Sequence, residues 1–191
     1  MSSPKAVILD ETAINRAITR IAHEIVEKNE GVENLALVGI VTRGDLLAKK
    51  LVEEIERIEG VRVPLGSLDI SFYRDDFATF APAVHATRID FNVDGKRIVL
   101  VDDILYTGRT IRAALDAIMD LGRPNRVELA VLVDRGHREL PICPDFVGKN
   151  VPSSRDENVR LYLQEVDGRS TVEIFDVAPG ARVGSAPLGG E

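Results

Sequence analysis

Three short apolar runs punctuate the first two-thirds of the chain: LALVGIV at 35–41, IVLV closing 97–101 and LAVLV at 129–133. Unbroken runs of this kind suit strands covered on both faces, as in a parallel sheet packed between helices. Between them the apolar positions fall at helical spacing. Asp10 is the expected N-cap of a helix whose Ile14, Ile18, Ile21 and Ile25 share one stripe. Leu47, Leu51, Ile55 and Ile58 repeat the pattern, with Gly60 as the stop, and Ile111, Leu115 and Ile118 form a third stripe ended by Gly122 and Pro124. Alternation of this kind predicts an α/β fold.

The remaining segments are less periodic. Residues 74–96 carry charges, Pro82 and few apolar pairs, which predicts a long, mobile connection. Residues 136–158 hold three prolines and no period, so an irregular cap is expected there. Two alternating runs, 159–166 and 171–177, flank Asp167-Gly168, which reads as a hairpin turn. The tail at 180–191 is rich in Gly, Ala and Pro and is expected to be disordered. A length of 191 residues fits one domain, over 1–179.

Composition narrows the possible roles. Cys143 stands alone, so no intrachain disulfide forms, and the N-terminus lacks a secretory apolar region; a cytoplasmic protein is expected. The net charge of −7 disfavours indiscriminate nucleic-acid binding but leaves room for a local basic patch.

The densest chemistry lies in IVLVDDILYTGRT at 98–110. Ligands of open parallel sheets bind outside the carboxyl ends of the strands, and Asp102 and Asp103 stand at such an end. Thr107-Gly108-Arg109-Thr110 then leads into a helix. Its first N–H groups and positive end suit an anion, and Gly108 permits close backbone approach. Two carboxylates beside a phosphate cradle suit the vicinal hydroxyls of a ribose 5-phosphate, held directly or with Mg²⁺. Two other readings stay open on spacing alone. The acids can simply end a strand and cap the next helix, or they can bind Mg²⁺ as in a phospho-acceptor receiver domain, a design that has no need of the Thr-Gly-Arg-Thr loop.

The same segment resembles the signature of the type I phosphoribosyltransferases, and the resemblance runs from about residue 5 to 177. ILDE and RIAHEI near the N-terminus, Thr42-Arg43-Gly44, Tyr73-Arg74-Asp75-Asp76, VLVDRGHRELP at 131–141 and VGKNVP at 147–152 are similar to one bacterial branch of that family. Members of that branch attenuate pyrimidine operons and also act as uracil phosphoribosyltransferases. The resemblance implies a mostly parallel sheet flanked by helices, with a flexible closing loop and a small irregular hood at roughly 136–160. It also implies the reaction of uracil with 5-phosphoribosyl diphosphate to give UMP and diphosphate.

In that reaction Asp102 and Asp103 would hold the ribose hydroxyls, while Tyr106, Thr107, Gly108, Arg109 and Thr110 would hold the 5-phosphate. Thr42, Arg43 and Gly44 would face the diphosphate, and Mg²⁺ would bridge substrate oxygens without a direct protein ligand. Arg74 would stabilise the leaving group on a closing loop. The base would be read by backbone groups near Arg135 and Val147. Asp134, where related purine enzymes carry Lys, favours a pyrimidine.

Regulation adds a second surface. Arg16, Arg20 and His23 lie opposite the isoleucine stripe, with Thr19 beside them and Glu27 on the same face. A solvated helix face explains them as residues; the resemblance implies binding of leader mRNA, completed by Lys28, Arg138 and Lys149. Val41 and Cys143 stand where that branch is often basic. A transferase without RNA regulation, and a nucleotide sensor without turnover, are the competing readings, and a homo-oligomer is expected.

Overall fold

The structure, a computed structural model, describes residues 3–71 and 86–177. Arg74 and its neighbours Tyr73, Asp75 and Asp76 lie outside the described residues, as does the tail at 180–191. In chain order the elements are β1 (Ala6–Leu9), α1 (Glu11–Lys28), β2 (Leu35–Ile40), α2 (Gly44–Glu59), β3 (Leu65–Leu68), β4 (Arg97–Leu105), α3 (Arg109–Leu121), β5 (Arg126–Asp134), β6 (Phe146–Asn150), β7 (Glu157–Tyr162), α4 (Gln164–Asp167) and β8 (Thr171–Asp176). Five strands form a parallel sheet in the order β3-β2-β4-β5-β6. A second, antiparallel sheet has the order β1-β8-β7.

Strand alternation divides the core between the two faces of the large sheet. Leu35, Leu37, Val99 and Val101 pack with the isoleucine stripe of α1, with Leu47, Leu51 and Ile55 of α2, and with the small sheet. Ala36, Val38, Ile98 and Leu100 face the other way and meet Ile111, Ala114 and Ile118 of α3. The strands are therefore covered on both sides, which is why their sequences are apolar without a break. Asp10 caps α1 by accepting a hydrogen bond from the Ala13 N–H at 2.8 Å, and Gly60 closes α2 in the left-handed conformation at φ 71°. Among the described residues no helix is long and apolar enough to cross a membrane.

Three expectations are corrected. The cap at 136–158 is not irregular throughout, because Phe146–Asn150 joins the large sheet as its edge strand β6. The second sheet joins β1 from one end of the chain to β7 and β8 from the other. The runs at 159–166 and 171–177 do pair antiparallel, but one turn of helix, α4, joins them, and Gly168 at φ 71° is its left-handed cap. Finally, the second half of the long connection is ordered: Ser67 and Arg88 exchange two backbone hydrogen bonds at 2.9 and 2.8 Å.

Candidate functional site

Parallel strands bring their carboxyl ends to one edge, and the central pair β2 and β4 delivers the two chemically dense loops side by side. From β2 the chain passes through Val41, Thr42 and Arg43 into α2. Gly44 opens that helix against β4: a Cβ there would collide with the Val101 carbonyl oxygen and lie 3.1 Å from Asp102 Cα. Gly39 serves the same approach, since a Cβ would meet the Asp45 backbone nitrogen at 2.6 Å. Two glycines thus let the amino end of α2 rest on the sheet beside Asp102.

From β4 the chain passes through Tyr106, Thr107 and Gly108 into α3. Gly108 has φ 92°, a left-handed conformation that suits glycine; at the amino ends of α3 and α2, Thr107 Oγ1 accepts the Arg109 N–H at 3.4 Å and Asp45 Oδ1 accepts the Leu46 N–H at 2.8 Å. Asp102 and Asp103 stand beside the α2 end, on the strand that leads into α3, and the partial positive charge of both helix ends favours anions. Asp102 is 7% exposed, and its Oδ1 accepts the Asp103 N–H at 2.9 Å. Asp103 Oδ1 accepts the Ile104 N–H at 2.8 Å. Burial pushes the Asp103 carboxyl above the usual carboxylate range; the Ile104 hydrogen bond and the Arg43 charge oppose that rise.

Residues 136–142 fold over the loop at 106–110. The Thr107 carbonyl accepts the N–H groups of Glu139 and Leu140 at 2.9 and 3.2 Å, and Arg109 pairs with Glu139 at 2.7 Å. Arg138 acts as the clamp of this cap. Its guanidinium donates to the carbonyls of Ile142 and Tyr106, both at 2.9 Å, to that of Gly136 at 3.3 Å, and to the Asp134 carboxylate at 2.6 Å. Arg135, only 3% exposed, turns toward the small sheet. It donates to Ser153 Oγ at 2.9 Å and to the carbonyls of Ser154 and Glu157 at 3.0 and 2.7 Å, and it stacks 4.1 Å over the Tyr106 ring. Tyr106 is further met edge-on by His137, whose Nε2 lies 2.5 Å from the Ser153 carbonyl.

The structure brings together Thr42, Arg43, Gly44, Asp102, Asp103 and residues 106–110, with Arg135 beside them. It separates Val147. The β5–β6 register sets Val147 opposite Val131, which leaves it about 13 Å short of Arg135 along the strand. The Val147 carbonyl also accepts a hydrogen bond from Arg20 at 2.9 Å. Asn150, opposite Asp134, is the β6 residue at the site edge. On α1, Arg16 and His23 are exposed, Thr19 donates to Glu54 at 3.1 Å, and Arg20 is spent on Glu24 and on the carbonyls of Val147 and Gly148. Lys149 is exposed, whereas Arg138 is engaged inside the cap. Asp167 on α4, which pairs with Arg43 at 3.0 Å, was not legible as part of the site, because only the folded small sheet carries it there.

A family model, the phosphoribosyl transferase domain, matches residues 6–165. Fold and site thus define a phosphoribosyltransferase, and the chain belongs to that family. Its likeness to solved hypoxanthine-guanine phosphoribosyltransferases extends to the fold alone: a Bacillus anthracis enzyme gives a TM-score of 0.69 at 18% identity, covering 93% of this chain and all of that one. A Trypanosoma cruzi hypoxanthine phosphoribosyltransferase gives 0.69 at 16% identity, over 92% and 98% of the two chains. Much higher identity is found to proteins named bifunctional protein PyrR. The Acetivibrio thermocellus protein is 61% identical over 93% of this chain and 98% of its own, and the Deinococcus radiodurans protein 56% over 92% and 97%. Within the family, the chain belongs to the PyrR proteins.

Proposed function

We propose that the chain transfers a phosphoribosyl group from 5-phosphoribosyl diphosphate to uracil, giving UMP and diphosphate, and that UMP tunes its binding to the leader RNA of pyrimidine genes. One observation carries the transferase reading: Asp102 and Asp103 stand beside the amino end of α2, seated there by Gly44, on the strand that leads through Gly108 into the amino end of α3. The geometry supports a division of labour. The α3 end takes the 5-phosphate through the N–H groups of 107–110, the two carboxylates take the ribose hydroxyls, and the α2 end takes the diphosphate through Thr42, Arg43 and Gly44. Carbon 1 of the ribose gains positive charge as diphosphate departs, so the protein's task is alignment, exclusion of water and neutralisation of the leaving group. Arg74 is assigned to the last of these. The base lies under the cap held by Arg138, near Tyr106 and the backbone following Asp134.

Mg²⁺ fits this site as an ion carried by the substrate. Among the described residues no cluster of three His, Cys, Asp or Glu side chains is positioned to cage a metal, and Asp102 and Asp103 would act on Mg²⁺ through the substrate oxygens that carry it. Bound there, it would supply positive charge to the diphosphate and ribose oxygens.

Incubation with labelled uracil, 5-phosphoribosyl diphosphate and Mg²⁺ tests the transferase reading. Labelled UMP is expected, and its absence with intact UMP binding would reduce the chain to a nucleotide sensor. The RNA reading is supported by exposed Arg16, His23 and Lys149, with Arg20 and Arg138 contributing to the scaffold. A filter-binding titration against the pyrimidine leader should show tighter binding with UMP at near-physiological salt. UMP-independent or undetectable binding would leave the transferase alone.

A further inference from the structure

The diphosphate loop is tied to the small sheet by an ion pair that the proposed reaction does not yet use. Arg43 Nη2 donates to both oxygens of Asp167, at 3.0 and 3.3 Å. Asp167 is itself fixed: its Oδ2 accepts the Leu163 N–H at 2.8 Å, and its own N–H donates to the Leu163 carbonyl at 2.7 Å. A second pair, Lys50 with Glu165 at 2.6 Å, fastens the same helical turn, α4, to α2. The side chains of Arg43 and Asp167 are 29% and 18% exposed, so this pair is better shielded than a surface bridge.

The Arg43 guanidinium is only partly satisfied. Its Nε is buried, with no hydrogen-bond partner among the described residues. A buried donor without an acceptor is costly, and in a native structure it calls for an explanation. Arg43 also acts on Asp103, where its charge favours the ionised carboxylate. The same cation therefore borders the ribose carboxylates and opens the helix assigned to the diphosphate.

We propose that Asp167 is a positioning residue for the transferase: it holds the Arg43 guanidinium beside Asp103, at the start of the helix assigned to the diphosphate. The turn between β7 and β8, by this account, sets the geometry of the diphosphate subsite. The inference rests on the assignment of 42–44 as the diphosphate loop. Truncating Asp167 frees Arg43 to rotate, so affinity is lost for the diphosphate-bearing ligand while UMP, which has no diphosphate, is spared.

Calorimetric binding tests this without requiring turnover. Asp167→Asn should weaken Mg²⁺–5-phosphoribosyl diphosphate about tenfold or more, the worth of a charge-assisted hydrogen bond, and change the Kd for UMP by less than about twofold. Asp167→Glu should recover part of the loss. Arg43→Ala combined with Asp167→Asn should be no weaker than Arg43→Ala alone, since both remove one interaction. Unchanged 5-phosphoribosyl diphosphate affinity in Asp167→Asn, equal losses for both ligands, or additive losses in the double variant would overturn the proposal. If the unaltered protein bound 5-phosphoribosyl diphosphate but formed no UMP, the transferase reading would fail while the role of Asp167 was still measured.

Discussion

Replacing Gly44 with alanine adds one methyl group where the helix start presses on the central strand beside Asp102. Its Cβ would collide with the Val101 carbonyl oxygen and sit 3.1 Å from Asp102 Cα and 3.2 Å from the Val101 carbonyl carbon, all of them backbone atoms of a central strand that cannot rotate away. Either α2 lifts or β4 bends, by roughly half an ångström or more, and overpacking of this kind costs about 1–3 kcal/mol. Alanine's better helix propensity returns less than about 1 kcal/mol at a first-turn position. A net loss of about 1–2 kcal/mol lowers Tm by roughly 2–8 °C for a chain of this size. The displacement falls on Asp102 itself, and misplacing a binding group by about 1 Å costs up to about 100-fold in rate. Gly44→Ala should therefore combine a modest drop in Tm with a kcat/KM for 5-phosphoribosyl diphosphate reduced about ten- to a hundred-fold. Gly60→Ala is the control: its site is open but left-handed, so it loses about 1 kcal/mol of stability and leaves kcat/KM alone. A Gly44→Ala protein with unaltered melting and kinetics would refute the close-approach argument.

Other substitutions separate stability from chemistry. Burial raises the Asp103 carboxyl, so its ionisation destabilises the unliganded fold; the stability of the neutral form is full below the ordinary Asp range and lost as pH rises through the raised value. Asp103→Asn should accordingly raise Tm at neutral pH, with the gain shrinking in acid, while calorimetry shows 5-phosphoribosyl diphosphate binding sharply weakened. For the unaltered protein, KM for 5-phosphoribosyl diphosphate should rise as pH falls, beginning at a higher pH than for an ordinary carboxylate. Arg138→Ala strips the donor from three carbonyls and the Asp134 carboxylate; about 1.5–3 kcal/mol of stability should go, read by denaturant titration, together with a raised KM for uracil. Asp10→Ala should cost about 1 kcal/mol through the lost cap, seen as a lower Tm, and leave turnover unchanged.

What could be read in the sequence was local. The stripes of α1, α2 and α3, the Asp10 cap, the Gly60 stop and the buried strands β2, β4 and β5 all declare themselves through short-range period and end chemistry. The short edge strands did not. Leu65–Leu68 offers four residues of weak alternation. Phe146–Asn150 follows a proline-rich stretch, and its Gly148 marks close backbone contact, since a Cβ there would lie 3.1 Å from Leu132 Cδ1 and collide with the Leu132 carbonyl. The small sheet pairs Ala6–Leu9 with Thr171–Asp176, a match across nearly the whole chain that no local pattern encodes. The site follows the same rule. The motif at 98–110 announced its acids and its glycine turn, but register alone removed Val147 from the edge. Side-chain partners, invisible to spacing, turned Arg20 and Arg138 into struts and linked Asp167 to Arg43.

The central claim is that Asp102–Asp103 and the start of α3 form a ribose 5-phosphate site, and a crystal structure with UMP bound tests it most directly. The account predicts the phosphate against the N–H groups of residues 107–110, the ribose hydroxyls facing Asp102 and Asp103, and the uracil under the cap held by Arg138. A UMP phosphate bound elsewhere on the chain, or a nucleotide whose ribose turns away from the two carboxylates, would contradict it.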